Sequence, residues 1–184
     1  MWLLLVVVGL VAGLGHAQVI SLEKCPEFIP KVDFQVERYL GKWFEIARFP
    51  NTYEIGQRCN YAEYSDNGDG TVKVHNGGLN ADGVFTEIFG YVEQTDVPGA
   101  LLLHLDGVPF VGQYNVLETD YTNYATVYTC TDIFGISHVE QAWILARTPS
   151  PTPQALQNAF AAFAKWGINT EPFLYTAQED CANL

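Results

Sequence analysis

Four cysteines and three histidines outside the apolar leader are the residues best suited to chemistry, and their spacing argues against catalysis. Cys25, Cys59, Cys130 and Cys181 are widely separated. In an exported chain that spacing suits disulfides better than free thiols or a metal site, and four cysteines allow three pairings. His75, His104 and His138 are far apart in sequence, and each reads as a satisfied strand or loop histidine. The chain has no G-x-S-x-G, no H-E-x-x-H and no phosphate-binding loop. Asp66-Asn67-Gly68-Asp69-Gly70 has some of the composition of a calcium loop. Gly68 stands where a ligand is needed and no Glu follows at the required place, so it reads as a hairpin turn. No catalytic residue and no metal ligand is expected. What remains is binding by aromatic and aliphatic side chains.

Those side chains must be held by strands. The stretch YLGKWFEIARFP, Tyr39–Pro50, alternates with period two. Trp43, Glu45, Ala47 and Phe49 fall on one face, and Phe44, Ile46 and Arg48 on the other. Gly41 suits a close backbone approach into the strand, and Trp43 is a large apolar plug with one N–H to satisfy. From Trp43 to Arg147 the chain reads as eight strands at regular spacing joined by short turns. Closing such an antiparallel meander into a barrel removes its exposed edges. Gln18 to Arg38 reads as a loop with one helical turn near Asp33–Arg38. After the barrel a helix is expected. Thr152 caps it, Pro153 suits its first position, and Leu156, Ala159, Phe160, Phe163 and Trp166 form one apolar stripe that ends at Gly167. PFLYTA is a short extended piece. The fold class expected is all-β: an eight-stranded up-and-down antiparallel barrel with one C-terminal helix on its wall.

Composition bounds the setting. A chain of 184 residues, 48% hydrophobic and 16% charged, fits a single globular domain. Its formal net charge of −12 is repelled by polyanions, so nucleic acid is not an expected partner. Residues 1–17 read as a signal peptide. Trp2–Leu14 is apolar but too short to span a bilayer, and Gly15-His16-Ala17 supplies small residues before Gln18, although Lys and Arg are missing from the start. The expected product, residues 18–184, is one secreted, extracellular domain. It contains no N-x-S/T sequon.

Three distant segments meet if the strands alternate up and down. Trp43 starts the first strand, the turn at Thr119-Asp120-Tyr121 joins the sixth to the seventh, and Arg147 ends the eighth, all at one end. An Arg guanidinium lying on the Trp face while bonding backbone carbonyls would stabilise that end by about 1–2 kcal/mol. The other end is then free to be a mouth.

The G-x-W of Gly41 and Trp43, the Thr119-Asp120-Tyr121 turn and the lone Arg147 resemble the lipocalin family, across the whole mature chain. YLGKWFEIARFPN, LETDYTNYATVYTC and HVEQAWILAR are similar to the apolipoprotein D-like branch, near the insect bilin-binding and crustacean carotenoid-binding members. The resemblance implies disulfides Cys25–Cys130 and Cys59–Cys181, each tying one chain terminus to the barrel near the mouth. That leaves no free thiol nucleophile and makes an enzyme the lesser reading. It also implies a hydrophobic pocket with Tyr64, Asn76, Leu105, Tyr114 and Trp143. Strand alternation places Leu103 on the face of Leu105, and Leu145 on the face of Trp143. Plain core packing is the alternative for each. Gly78 stands where that branch more usually has Glu, which implies a shifted ligand preference.

The implied function is a carrier of a fatty acid, steroid or other lipid, or alternatively of a bilin or carotenoid chromophore, with no required cofactor. At about 0.3 kcal/mol per heavy atom, a lipid of about twenty atoms reaches tens of micromolar, and a tetrapyrrole of about forty atoms reaches nanomolar. Tyr53 and Ile55, Val108–Val111, and Ile133, Phe134 and Ile136 fall at the mouth. They form either an apolar rim for membranes, lipoprotein particles or a partner subunit, or a gate over the ligand. A monomer or small oligomer is expected.

Overall fold

Period-two alternation through the middle of the chain becomes a closed wall. The computed structural model describes residues 18–181; the expected leader, residues 1–17, lies outside the described residues. In chain order the elements are β1 (Val19–Ser21), α1 (Val36–Tyr39), β2 (Gly41–Arg48), β3 (Arg58–Asp66), β4 (Val72–Leu79) and β5 (Phe85–Gln94), followed by β6 (Ala100–Leu105), β7 (Gly112–Thr119), β8 (Tyr124–Ile133), β9 (Ser137–Ala146), α2 (Pro153–Ala164) and β10 (Leu174–Tyr175). Strands β2 to β9 pair antiparallel with their sequence neighbours, and β9 pairs back onto β2. These eight strands form the up-and-down barrel expected from the spacing.

Two short strands lie outside the meander. Gln18–Arg38 was expected to be loop and one helical turn, but Val19–Ser21 pairs with His138–Glu140 of β9. Only Phe44–Ala146 to Arg48–Trp143 of the β9 edge faces β2, so the mouth half of β9 has backbone groups to spare. At the other end of the chain, Leu174–Tyr175 pairs with Ala47–Arg48. Strand β2 pairs with β3 only from Gly41 to Phe44. Residues 174–178 fill the gap beyond: Thr176 N–H donates to Ile46 O (2.9 Å) and Cys59 N–H to Ala177 O (2.8 Å). The Gln178 side-chain amide donates to Glu45 O (2.7 Å) and Asn60 O (2.8 Å).

Alternation within β2 differs from the expectation. Trp43 joins the interior cluster with Tyr64, Val74, Val92, Val116 and Leu145. Ala47 and Phe49, expected on the face of Trp43, pack outside with Ile46, beneath α2. A bulge between Glu45 and Ala47 in the pairing with β9 is the cause. One extra residue reverses the inside–outside phase for the rest of the strand. Helix α2 starts as expected, with Thr152 Oγ1 accepting from Ala155 N–H, Pro153 opening the helix, and Ala155, Ala159 and Phe163 buried against the wall. It ends at Ala164, and Trp166 and Gly167, expected within it and at its end, lie in the turn beyond.

The end at Trp43 is shut. The Arg147 guanidinium carbon lies 3.7 Å from the Trp43 ring centroid. Its nitrogens donate to Tyr121 O (3.0 Å), Lys42 O (3.0 Å), Arg38 O (3.1 Å) and Tyr39 O (3.3 Å). Trp43 Nε1–H donates to Tyr39 O at 2.7 Å. Gly41 has φ +91°, and a Cβ there would meet Arg147 Nη1 at 3.4 Å. Asp120 accepts from the backbone N–H groups of Thr122, Asn123 and Tyr124, and Thr119 Oγ1 accepts from Tyr121 N–H, which holds the Tyr121 carbonyl in place. Replacing Arg147 by Ala strips these carbonyls of a donor and uncovers Trp43. The expected cost is about 2–4 kcal/mol in urea-unfolding free energy. Arg147→Lys recovers less than half of it, because an ammonium cannot form the planar fork.

Candidate ligand cavity

The barrel interior is filled at the shut end and open above it. Over the Trp43 plug lies a cavity of about 760 Å³ that opens at the opposite end. Its wall takes inward residues from β2 to β9. Tyr64, Asn76, Leu103, Leu105, Tyr114, Trp143 and Leu145, the residues named from the sequence, all line it. Register sets their depth. Tyr64 pairs with Gly41 and Val74 near the floor, Asn76 pairs with Ala62 one step higher, and Trp143 sits one step above Leu145.

Three phenols form the floor. Tyr114 Oη lies 2.9 Å from Tyr39 Oη and 2.7 Å from Tyr64 Oη. The Tyr39 ring stacks on Trp43 with centroids 4.9 Å apart. Burial pushes all three phenols up, Tyr64 to about 12, so all are neutral near pH 7. Three hydroxyls sharing two hydrogen bonds leave one proton without an acceptor in the triad.

A charged cluster interrupts the upper wall. Glu45 and Glu54 line the cavity, and the Arg48 guanidinium is held beside them. Arg48 donates to Glu45 Oε1, to Thr176 Oγ1 at 2.8 Å, and to the carbonyls of Glu54 and Gln57. Trp143 Nε1 approaches Glu54 Oε2 at 3.4 Å. This one arginine ties together β2, the loop at 49–57 and the C-terminal segment. Burial raises the Glu45 carboxyl to about 8; the charge of Glu54 adds to the rise and Arg48 opposes it.

Sequence reasoning had put Glu45 on the face of Trp43, and an acid on a core face was the available signal. Tyr53 was legible only as a mouth-loop residue, and Glu54 and Gln57 had no signal, because a loop fold brings them in. Asn60 arrives with β3, next to a bulge at Arg58–Tyr61 and Cys59 at φ 58°. Gly78 leaves room here: a Cβ at that position would sit 2.5 Å from Asn60 Oδ1.

The other candidates lie outside. His75 stacks on Phe89 and pairs with Glu87, and His104 stacks on Tyr91 and pairs with Glu93. His138 is buried on β9 opposite Ser21 of β1, with Nδ1 2.7 Å from Glu23 O. Its ring lies near Cys25 and Cys130, whose sulfurs are joined in a disulfide. Cys59 and Cys181 form the second disulfide, so both pairings match those implied by the resemblance. At the mouth, Tyr53, Ile55, Phe110, Val111, Phe134 and Ile136 are exposed, Phe134 by 95% and Phe110 by 71%.

A barrel plugged at one end by a cation-capped aromatic, with an apolar cavity open at the other, is of the class that encloses one small molecule. The chain belongs to the lipocalin family: residues 32–178 match the Lipocalin-like domain. It is 34% identical to apolipoprotein D of Mus musculus over 98% of each chain. Lobster apocrustacyanin A1 superposes with a TM-score of 0.72 at 26% identity, covering 83% of this chain and 89% of that one. Insecticyanin from the tobacco hornworm Manduca sexta shares the fold, with a TM-score of 0.79 at 24% identity over 90% of this chain and 92% of that one.

The buried acid has a pH signature. Glu45 keeps its proton in the folded chain at pH values where the unfolded chain has lost it. Its contribution to stability therefore falls as pH rises from about 4.5 to about 8, by at most about 1.4 kcal/mol per pH unit. Urea unfolding from pH 5 to 9 should show this component in the native protein and lack it in Glu45→Gln.

Proposed function

We propose that the protein is a secreted carrier that holds one small hydrophobic molecule in the barrel, a fatty acid, steroid or other lipid, as its likeness to apolipoprotein D suggests. The observation that carries this reading is the 760 Å³ cavity above the Trp43–Arg147 plug. Its size lies well within the roughly 300–1,000 Å³ of small-molecule sites. Tyr64, Asn76, Leu103, Leu105, Tyr114, Trp143 and Leu145 are the contact residues we assign to the ligand. Among the described residues, the cavity lining includes no His, Cys or Ser, which supports binding over catalysis. No cofactor is assigned, and the barrel encloses the cavity within one chain, which suits a monomer or small oligomer. The two disulfides fit an oxidising, extracellular setting.

The second reading is a chromophore carrier, for a bilin or a carotenoid, and the cavity volume favours it enough to be tested alongside. Native mass and visible absorption of the protein purified from its source separate the two. A lipid carrier emerges colourless with a defined added mass, and a chromoprotein shows a visible band. A protein that is empty as isolated and takes up nothing from a lipid extract overturns the carrier reading.

The mouth supports a further contact. Phe110, Val111, Phe134 and Ile136 are bulky apolar residues on neighbouring loops at the opening, and all are exposed. We assign them to docking on a membrane or lipoprotein surface, where an apolar rim delivers ligand without crossing water. The double substitution Phe110→Ser and Phe134→Ser should lower vesicle association by at least about tenfold in a flotation assay, and unchanged association would remove this role.

A further inference from the structure

The charge of the cavity wall says which ligands suit it, and this step rests on the carrier reading. Among the described residues, no Lys, Arg or His lines the cavity, whereas Glu45, Glu54 and Glu87 do. Glu87 is paired with His75, leaving Glu45 and Glu54 on the wall. Arg48 stands behind them and offers nothing further. Its terminal nitrogens are engaged by Glu45, Thr176 and the carbonyls of Glu54 and Gln57, and its Nε lies 3.7 Å from Glu54 Oε2. With both acids ionised this cluster carries a net negative charge, and with Glu45 protonated it is neutral. In neither state is there a cation for a guest.

The same wall has acceptors in want of donors. Asn60 and Asn76 each line the cavity with a buried Oδ1 that has no partner. For Asn60, which is 6% exposed, the assignment is fixed by its neighbours. Gln57 Nε2 donates to Tyr53 O at 2.8 Å, so Gln57 Oε1 must accept from Asn60 Nδ2 at 3.1 Å, and Asn60 Oδ1 is left as the free acceptor. A buried acceptor without a donor is costly, and a guest's hydroxyl or ammonium removes that cost. A carboxylate entering the cavity adds a charge with no counterion beside two acids, and the spare tyrosine proton at the floor is one hydrogen bond against it.

We propose that the cavity selects uncharged or cationic amphiphiles carrying a hydrogen-bond donor, and discriminates against carboxylates with the same hydrophobic body. Among lipid ligands this ranks long-chain alcohols, amines and hydroxysteroids above fatty acids. It also disfavours a bilin whose propionates lie inside.

The test uses three probes with one chain length: hexadecan-1-ol, hexadecylamine and palmitate, titrated into delipidated protein at pH 7.5 and followed by tryptophan fluorescence, with Trp143 in the wall as the reporter. The alcohol and the amine should bind at least about tenfold more tightly than the acid. In Glu45→Gln/Glu54→Gln the amine's advantage should collapse and the acid should gain. Glu54→Gln alone should likewise weaken the amine and strengthen the acid, and serves if the double variant does not fold. Palmitate binding the native protein as tightly as the alcohol, or a preference untouched by either variant, overturns the selectivity while leaving the carrier reading intact. Binding of none of the three overturns both.

Discussion

One guanidinium decides which end of the barrel is the floor. Arg147 reaches it from the end of β9 and lies on Trp43 at the start of β2. It collects carbonyls from α1, from the residue after Gly41 and from the β7–β8 turn. These segments are separated by up to 109 residues, so the contact joins the first and last strands of the meander as well as the segment before it. Because the cation is packed on an aromatic face and hydrogen-bonded in plane, its charge is compensated without a carboxylate. An end closed in this way needs no long loops, and the long apolar loops are left to the opposite end. The cavity exists because only one end has such a plug.

Above the plug the wall changes character with height. The floor is aromatic and neutral: Tyr114 links the hydroxyls of Tyr39 and Tyr64 with one proton to spare, and Tyr39 stacks on Trp43. The upper wall holds the Glu45–Arg48–Glu54 cluster, where the bulge in β2 turns Arg48 towards Glu45 instead of away from it. A regular strand would place these two residues on opposite faces. The bulge therefore has two consequences. It sends Ala47 and Phe49 outward beneath α2, and it builds an ionic knot at the cavity edge. That knot anchors the 49–57 loop and Thr176 through the same arginine.

The two chain ends complete the barrel from outside. Strand β1 covers the free half of β9, and residues 174–178 fill the gap where β2 leaves β3. Each end is also tied by a disulfide, Cys25 to Cys130 and Cys59 to Cys181, across separations of 105 and 122 residues. Cross-links over such long loops constrain the unfolded chain strongly in the chain-entropy model. They hold in place segments whose few backbone pairings would otherwise fray.

Much of this was legible in the residue order. Eight alternating stretches with turn signals determined a meander; Thr152, Pro153 and the stripe through Phe163 determined the helix. The G-x-W, the Thr119-Asp120-Tyr121 turn and Arg147 marked the closed end, because a meander's parity alone brings them together. The family resemblance pointed to Leu105 and Trp143, and period two added Leu103 and Leu145 on the same faces. What only the tertiary structure decided depends on breaks in that regularity. The phase reversal after Glu45 has no local signature, since it arises where β2 changes partners along β9. The entry of Glu54, Tyr53 and Gln57 into the wall depends on a loop folded around Arg48. The roles of Val19–Ser21 and Leu174–Tyr175 depend on edges that exist only once the barrel has closed. Local alternation fixes which way a side chain points within a strand, but the packing of distant segments fixes where each strand stops obeying it.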